Sequence, residues 1–211
     1  MNNAGYGKLT TGLIAAWFVF AVSAASLNLF KGDPSLPPLA LGLAALLPIA
    51  AFLLWFWASR GFREFAFSLN PRTLTFVQSW RLGGFTFLVL YSAGILPGAF
   101  ALPAGWGDIA IGATAPLVAM GLVSFNRRGS FILWQIVGMF DLVLAVTMGA
   151  AASILWPHGV NTAVMAALPL SLIPTFAVPL LLMLHIICIA QARHWKEGRY
   201  IRVESQLPAS A

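Results

Sequence analysis

Six apolar runs punctuate the 211-residue chain, each close to the roughly 20 residues a helix needs to cross a hydrocarbon core. They lie near 9–30, 37–59, 73–100, 102–124, 130–155 and 167–192. The pattern predicts an all-α integral membrane protein with six transmembrane helices in one domain over 1–192, followed by a basic cytoplasmic tail over 193–211. The connectors are short: "KGDPSL" at 31–36, "RGFREFAFSLNPR" at 60–72, a tight turn around "FALPAG" at 100–105, "FNRRGS" at 125–130 and "WPHGVNTAVMA" at 156–166. In the second of these, Phe62, Phe65, Ala66 and Leu69 recur at i, i+3, i+4 and i+7 beside Arg63 and Glu64. That spacing predicts a short interfacial helix near 61–69, lying along a membrane surface. The first run has one Lys before it and extends beyond twenty residues, so it reads as a retained span and not a cleaved signal peptide.

Composition strengthens the membrane reading. Hydrophobic residues make up 60% of the chain and charged ones 9%, with a mean hydropathy of +0.87. Soluble domains carry about 25% charged residues, so a soluble protein is excluded. The net charge of +6 is no nucleic-acid footprint, because the basic residues sit between the apolar runs and form no basic face. They set orientation instead. Lys8, Arg60, Arg63, Arg72, Arg127, Arg128, Arg193, Lys196, Arg199 and Arg202 fall on one side of a six-span chain, Lys31 on the other, and Arg81 within a span. This asymmetry predicts both termini in the cytoplasm of a bacterial-type inner membrane. The single cysteine, Cys188, excludes an internal disulfide.

The third and fifth runs resemble each other: "WRLGGFTFLVL" (80–90) aligns with "WQIVGMFDLVL" (134–144), matching Trp80 with Trp134 and Gly84 with Gly138. The fourth and sixth share Pro116 with Pro179 and Met120 with Met183. Repeated helical hairpins of this kind occur in transporters, with sites at the repeat interface.

Few ionisable side chains remain inside the runs: Arg81, Asp108, Asp141 and His185, accompanied by Gln78, Gln135 and Tyr91. A charge at the centre of a membrane helix costs about 2.5–3.5 kcal/mol or more, so each should face protein or water. Gln135, Gly138, Asp141, Ala145 and Gly149 fall on one helical stripe, as do Gly105, Asp108, Gly112, Ala115 and Ala119. Small residues mark close helix contacts, so both acids should point into the bundle. At about 1.5 Å of rise per residue, counting from the flanking arginines spreads the four groups into a ladder. Arg81 and His185 come out near the inner side, Asp141 near the midplane and Asp108 near the outer surface. Pro97, Pro103, Pro169, Pro174 and Pro179 should free backbone carbonyls, tolerated where they are buried or line a cavity.

Each group also has a structural explanation. Asp141 can neutralise Arg81, Asp108 can cap a helix that starts near "PAGWG", and His185 can bond a neighbouring carbonyl. Tyr91 can simply pack, and His158 and His194 are boundary residues. A bis-histidine haem lacks a second His within a span, a zinc site is opposed by the heights of Asp108, Asp141 and His185, and no hydrolase or ATPase motif is present. The residues assign no cofactor. The best expectation is a small transporter or channel with a proton path: Asp141 as central acceptor, Arg81 as its partner or an anchor for a small anionic solute, His185 as inner relay and Asp108 as outer gate. The alternatives are an accessory or assembly subunit of a membrane complex, or an intramembrane redox or enzymatic protein using His185. Expected partners are the lipid bilayer, protons or a small polar solute, and a homo-oligomer or complex partner, with no nucleic acid.

Overall fold

The computed structural model describes residues 3–32, 38–155 and 159–196. His158, Arg199, Arg202 and the tail from 197 onward lie outside them. The described residues form only helices and connectors: α1 (Asn3–Ser26), α2 (Leu39–Ala58), α3 (Arg60–Ser68), α4 (Pro71–Val77), a 3-10 segment (Gln78–Gly84), α5 (Phe85–Ser92), α6 (Gly98–Gly121), α7 (Arg128–Leu155), a π turn (Ile173–Ala177) and α8 (Val178–Arg193).

Four of these stretches are long and apolar enough to cross a membrane: Asn3–Ser26, Leu39–Ala58, Phe125–Ala152 and Ile173–Arg193. The sequence pattern gave six, and the two that fall short do so for different reasons. The third run is no single helix, because the 3-10 segment divides α4 from α5. α6 is long enough at 24 residues, but its glycines, two internal prolines and Asp108 dilute its apolar character. It packs against the 3-10 segment, α4, α5 and α7, so its small residues meet backbone from several sides.

The boundaries shift accordingly. The expected turn at 100–105 lies inside α6, and the chain turns instead at Ala93–Pro97. There Gly94 takes the left-handed φ of +70°, open to a residue without Cβ, and Pro97 precedes the first turn of α6. α1 stops at Ser26, short of the expected residue 30, where Asn28 adopts φ 58° and its short polar side chain tolerates that conformation. The resemblance between the third and fifth runs does not extend to the backbone: residues 80–84 are 3-10, whereas their counterparts 134–138 are continuous α-helix.

α3 forms as its periodicity requires. Ser59 caps it, accepting a hydrogen bond from the Phe62 amide at 3.2 Å. Arg63 folds back to donate to the Trp57 carbonyl at 2.9 Å, satisfying the end of α2. Phe62 stacks on Trp55 with ring centroids 3.9 Å apart, and Phe65 on Tyr6 at 6.1 Å. Gln191 of α8 donates to the carbonyls of Ala66 and Leu69 at 2.8 and 2.9 Å. An aromatic platform therefore closes one end of the bundle. Removing the cap in Ser59→Ala should cost about 0.5–2 kcal/mol, read as a lower unfolding midpoint in detergent; an unchanged midpoint would show that aromatic packing alone holds α3.

Pro179 has no N–H to give the Thr175 carbonyl four residues earlier. The Trp17 indole of α1 takes that carbonyl instead, at 3.1 Å, tying α1 to the π turn. The outward surface carries many large apolar side chains, Trp57 (83% exposed), Leu46 (63%), Phe20 (62%) and Phe140 (64%) among them. Apolar exposure of this extent is compatible with a lipid-facing surface.

Candidate functional site

The site starts from the backbone of Gln78–Gly84. With three residues per 3-10 turn, side chains at i and i+3 eclipse, and Gln78, Arg81 and Gly84 all come to the buried edge while Trp80 and Leu82 face outward. Arg81, 3% exposed, extends between α6 and α7. Its Nε donates to Asp108 Oδ1 at 2.7 Å, its Nη1 to the Gly138 carbonyl at 3.0 Å, and its Nη2 to Asp141 Oδ2. One guanidinium thus joins two carboxylates whose side chains are 15% and 13% exposed.

The expected ladder contracts as a result. Asp108 is neither a helix cap nor an outer residue; it lies 13 residues before the end of α6 at Gly121. Asp141 lies 13 residues after the start of α7 at Arg128. The two helices run antiparallel through a short connector, so both acids sit at the same height, about 20 Å from that end. Counting Asp108 from Arg127 had overstated its height, because residues 122–127 are not part of α6.

Small residues permit the approach. A Cβ on Gly107 would overlap the Asp141 carboxylate, and one on Gly84 would overlap the Asp108 side chain. The two small-residue stripes face the interior as the sequence pattern required: Gln135 and Gly138 of α7, and Gly105, Gly112, Ala115 and Ala119 of α6, are all buried.

A second polar group lies across Gly138. His185 of α8, fully buried, meets the Gln135 Oε1 through its Nδ1. The Gln135 amide donates onward to Thr75 Oγ1 at 3.1 Å, and Thr75 lies 3.9 Å from Cys188 Sγ. Because Oε1 can only accept, this pairing places a proton on Nδ1. His185 Nε2 is buried with no hydrogen-bond partner, and its ring sits so near Gly138 that a Cβ there would lie 2.5 Å from Cε1. Trp134 flanks the ring at 5.8 Å and donates to Thr114 of α6 at 3.0 Å. Gln78 donates to the Leu181 carbonyl at 3.1 Å, fixing the 3-10 segment to α8. Tyr91 is apart from all of these: it is 43% exposed at the end of α5 and packs over Gly98. Thr75, Gly107 and Gly138 are site residues that polarity and charge alone did not single out.

Above the acids lies a cavity of about 520 Å³, within the roughly 300–1,000 Å³ typical of small-molecule sites. It runs from Lys31 and Asn161 in the connectors, between the starts of α2 and the far half of α7, to Asp108. Its walls are largely apolar, with Phe87, Phe100, Leu142 and Met165 among them. Asp108 is on that wall; Arg81, Asp141 and His185 are not.

Fold and site together define an apolar helical protein built around a buried Arg–Asp–Asp centre at the base of a cavity. Residues 36–193 match the family described as Domain of unknown function (DUF8737), and the chain belongs to that family. Every residue of the centre and of the His185 group lies within the match, which begins after α1. No curated protein and no solved structure matches the chain.

Proposed function

We propose that the protein is a six-span transporter of the bacterial-type inner membrane, and that its Arg–Asp–Asp centre takes up and releases a proton. The observation that carries this reading is that one buried cation, Arg81, serves two carboxylates, one of which borders the cavity. With both acids ionised the centre holds one negative charge in excess. A low-dielectric interior does not tolerate an uncompensated charge, so a proton or a cation completes the centre. Asp108 is then the group reached from the cavity, and Asp141 the acceptor behind Arg81. His185 and Gln135, across Gly138, continue the polar path toward the aromatic platform.

The topology has its own support. Residues 71–92 together with α6 supply the two further crossings, and the apolar outer surface suits lipid. The platform of Tyr6, Trp55, Phe62 and Phe65 sits with Lys8, Arg60, Arg63 and Arg193, the residues that orientation by positive charge assigns to the cytoplasm. The cavity then opens on the opposite face.

Asp141→Asn should abolish proton-linked flux in proteoliposomes and leave the unfolding midpoint within a few degrees of wild type. Asn keeps an oxygen for Arg81 Nη2 and leaves a one-to-one pair with Asp108. Wild-type flux in this variant would sink the reading.

A second reading has an observation in its favour. All three nitrogens of Arg81 donate, to α6 once and to α7 twice, as expected of a clamp in an accessory subunit. A clamp needs no proton flux, so the same assay separates the two. The third alternative, a His185 redox or enzymatic centre, gains nothing from the geometry, because the ring packs on Gly138 and Trp134 away from the cavity.

A further inference from the structure

We infer that the cavity binds a lipophilic monocation, a compact apolar body bearing one amine-like or onium charge, and that this ligand and the proton compete for the centre at Asp108. The inference rests on the proposed function, since it takes the centre as exchangeable. It follows from three features of the cavity. The walls are largely apolar, so most of the ligand is apolar. The charged group that the deep end reaches is Asp108 and not Arg81, so an anion entering there meets a carboxylate first. Arg81 is already engaged by two acids, which leaves the centre one positive charge short.

The charged surroundings of Asp108 are few. Arg81 faces it from the 3-10 segment and Asp141 from α7. His185 of α8 stands behind Gly138, and Lys31 is at the far mouth. Lys31 is exposed, so water and salt screen its charge from the deep end. A small anionic solute, which an unpaired Arg81 would have held, does not fit this arrangement. A cation at Asp108 does, because it supplies the charge that a proton otherwise supplies.

The test uses the full-length protein in detergent, tetraphenylphosphonium as probe, and tetraphenylborate as a control of like shape and opposite charge. Expected are saturable binding of the cation, at least tenfold weaker binding of the borate, and at least tenfold loss in Asp108→Asn. Asp108→Asn disturbs a buried pair, so Gly42→Phe provides an independent arm. Gly42 lines the cavity, and a Cβ there meets nothing within 4 Å, so a phenyl ring fills the space and leaves the acids untouched. It too should lose binding at least tenfold. Equal binding of the two ions, no saturable binding of the cation, or loss in Gly42→Phe with full retention in a folded Asp108→Asn would each overturn the assignment. Failure here with Asp141-dependent proton flux intact overturns the ligand class alone. Cation binding without proton flux overturns the transport reading and with it the competition with the proton, and leaves the cation site at Asp108 standing.

Discussion

Arg81→Leu is expected to destabilise the protein by about 3–5 kcal/mol, the scale for breaking a buried ion pair from one side. The loss comes from stranding two carboxylates as well as from removing contacts. Asp108 and Asp141 would face each other across α6 and α7 at the same height with nothing between them, and the Gly138 carbonyl would lose the donor that Arg81 adds to its helical one. The triple variant Arg81→Leu, Asp108→Leu, Asp141→Leu should recover most of that stability, because an apolar replacement leaves no buried charge behind. The three effects should therefore be strongly non-additive. Unfolding midpoints of the single and triple variants, followed by tryptophan fluorescence in detergent, measure this directly. A single variant as stable as wild type would mean that the bridge holds nothing together. The triple variant also divides the functional readings: a folded protein that has lost a proton flux present in the wild type marks the centre as a device for movement, whereas an accessory clamp shows no such flux in either protein and would be fully replaced by leucines.

Much of this centre was legible residue by residue, and its assembly was not. Stripes of small residues put Asp108 and Asp141 on inward faces, because helical periodicity is a local property that sequence carries directly. The α3 helix emerged from the same kind of signal, and α7 (128–155) departs from its expected span of 130–155 by two residues at one end. Heights were misjudged because they depend on where helices stop. α6 ends at Gly121 and not near Arg127, and that moves Asp108 from the outer surface to the level of Asp141. The break in the third run left a fainter mark. Gln78, Arg81 and Gly84 recur every three residues, the 3-10 period, but a window of seven residues inside an apolar run offers little contrast with α spacing. The turn at Gly94 and Pro97 competed with a second proline at 103, and only packing decided that Pro103 would stay helical. The cavity left no local trace at all, since its walls come from at least seven separated stretches of chain.

The second large effect concerns glycine, and it contrasts neighbours. Gly84→Ala should lower stability by about 1–3 kcal/mol, the cost of overpacking a filled interior, while Gly83→Ala should stay within about 0.5 kcal/mol of wild type or gain slightly. Backbone strain does not distinguish them: Gly84 has φ −57° and ψ −18°, open to any residue. Space does. A Cβ on Gly84 overlaps the Asp108 side chain, whereas one on Gly83 meets nothing within 4 Å. Gly112→Ala should be at least as costly as Gly84→Ala, because its Cβ would lie 2.6 Å from the Leu82 nitrogen and 3.0 Å from the Arg81 carbonyl carbon. Those are main-chain atoms that cannot rotate aside, so the whole 3-10 segment would have to retreat from α6. Retreat would lengthen the contact between Arg81 and Asp108, and proton flux should fall together with stability in Gly84→Ala and Gly112→Ala but not in Gly83→Ala. Parallel unfolding midpoints and flux measurements on the three variants decide the matter. Equal behaviour of Gly83→Ala and Gly84→Ala would mean that the close approach of the 3-10 segment to α6 does not set the centre. The expected split would identify the glycines, which carry no charge and no donor, as the residues that bring the arginine to its acids.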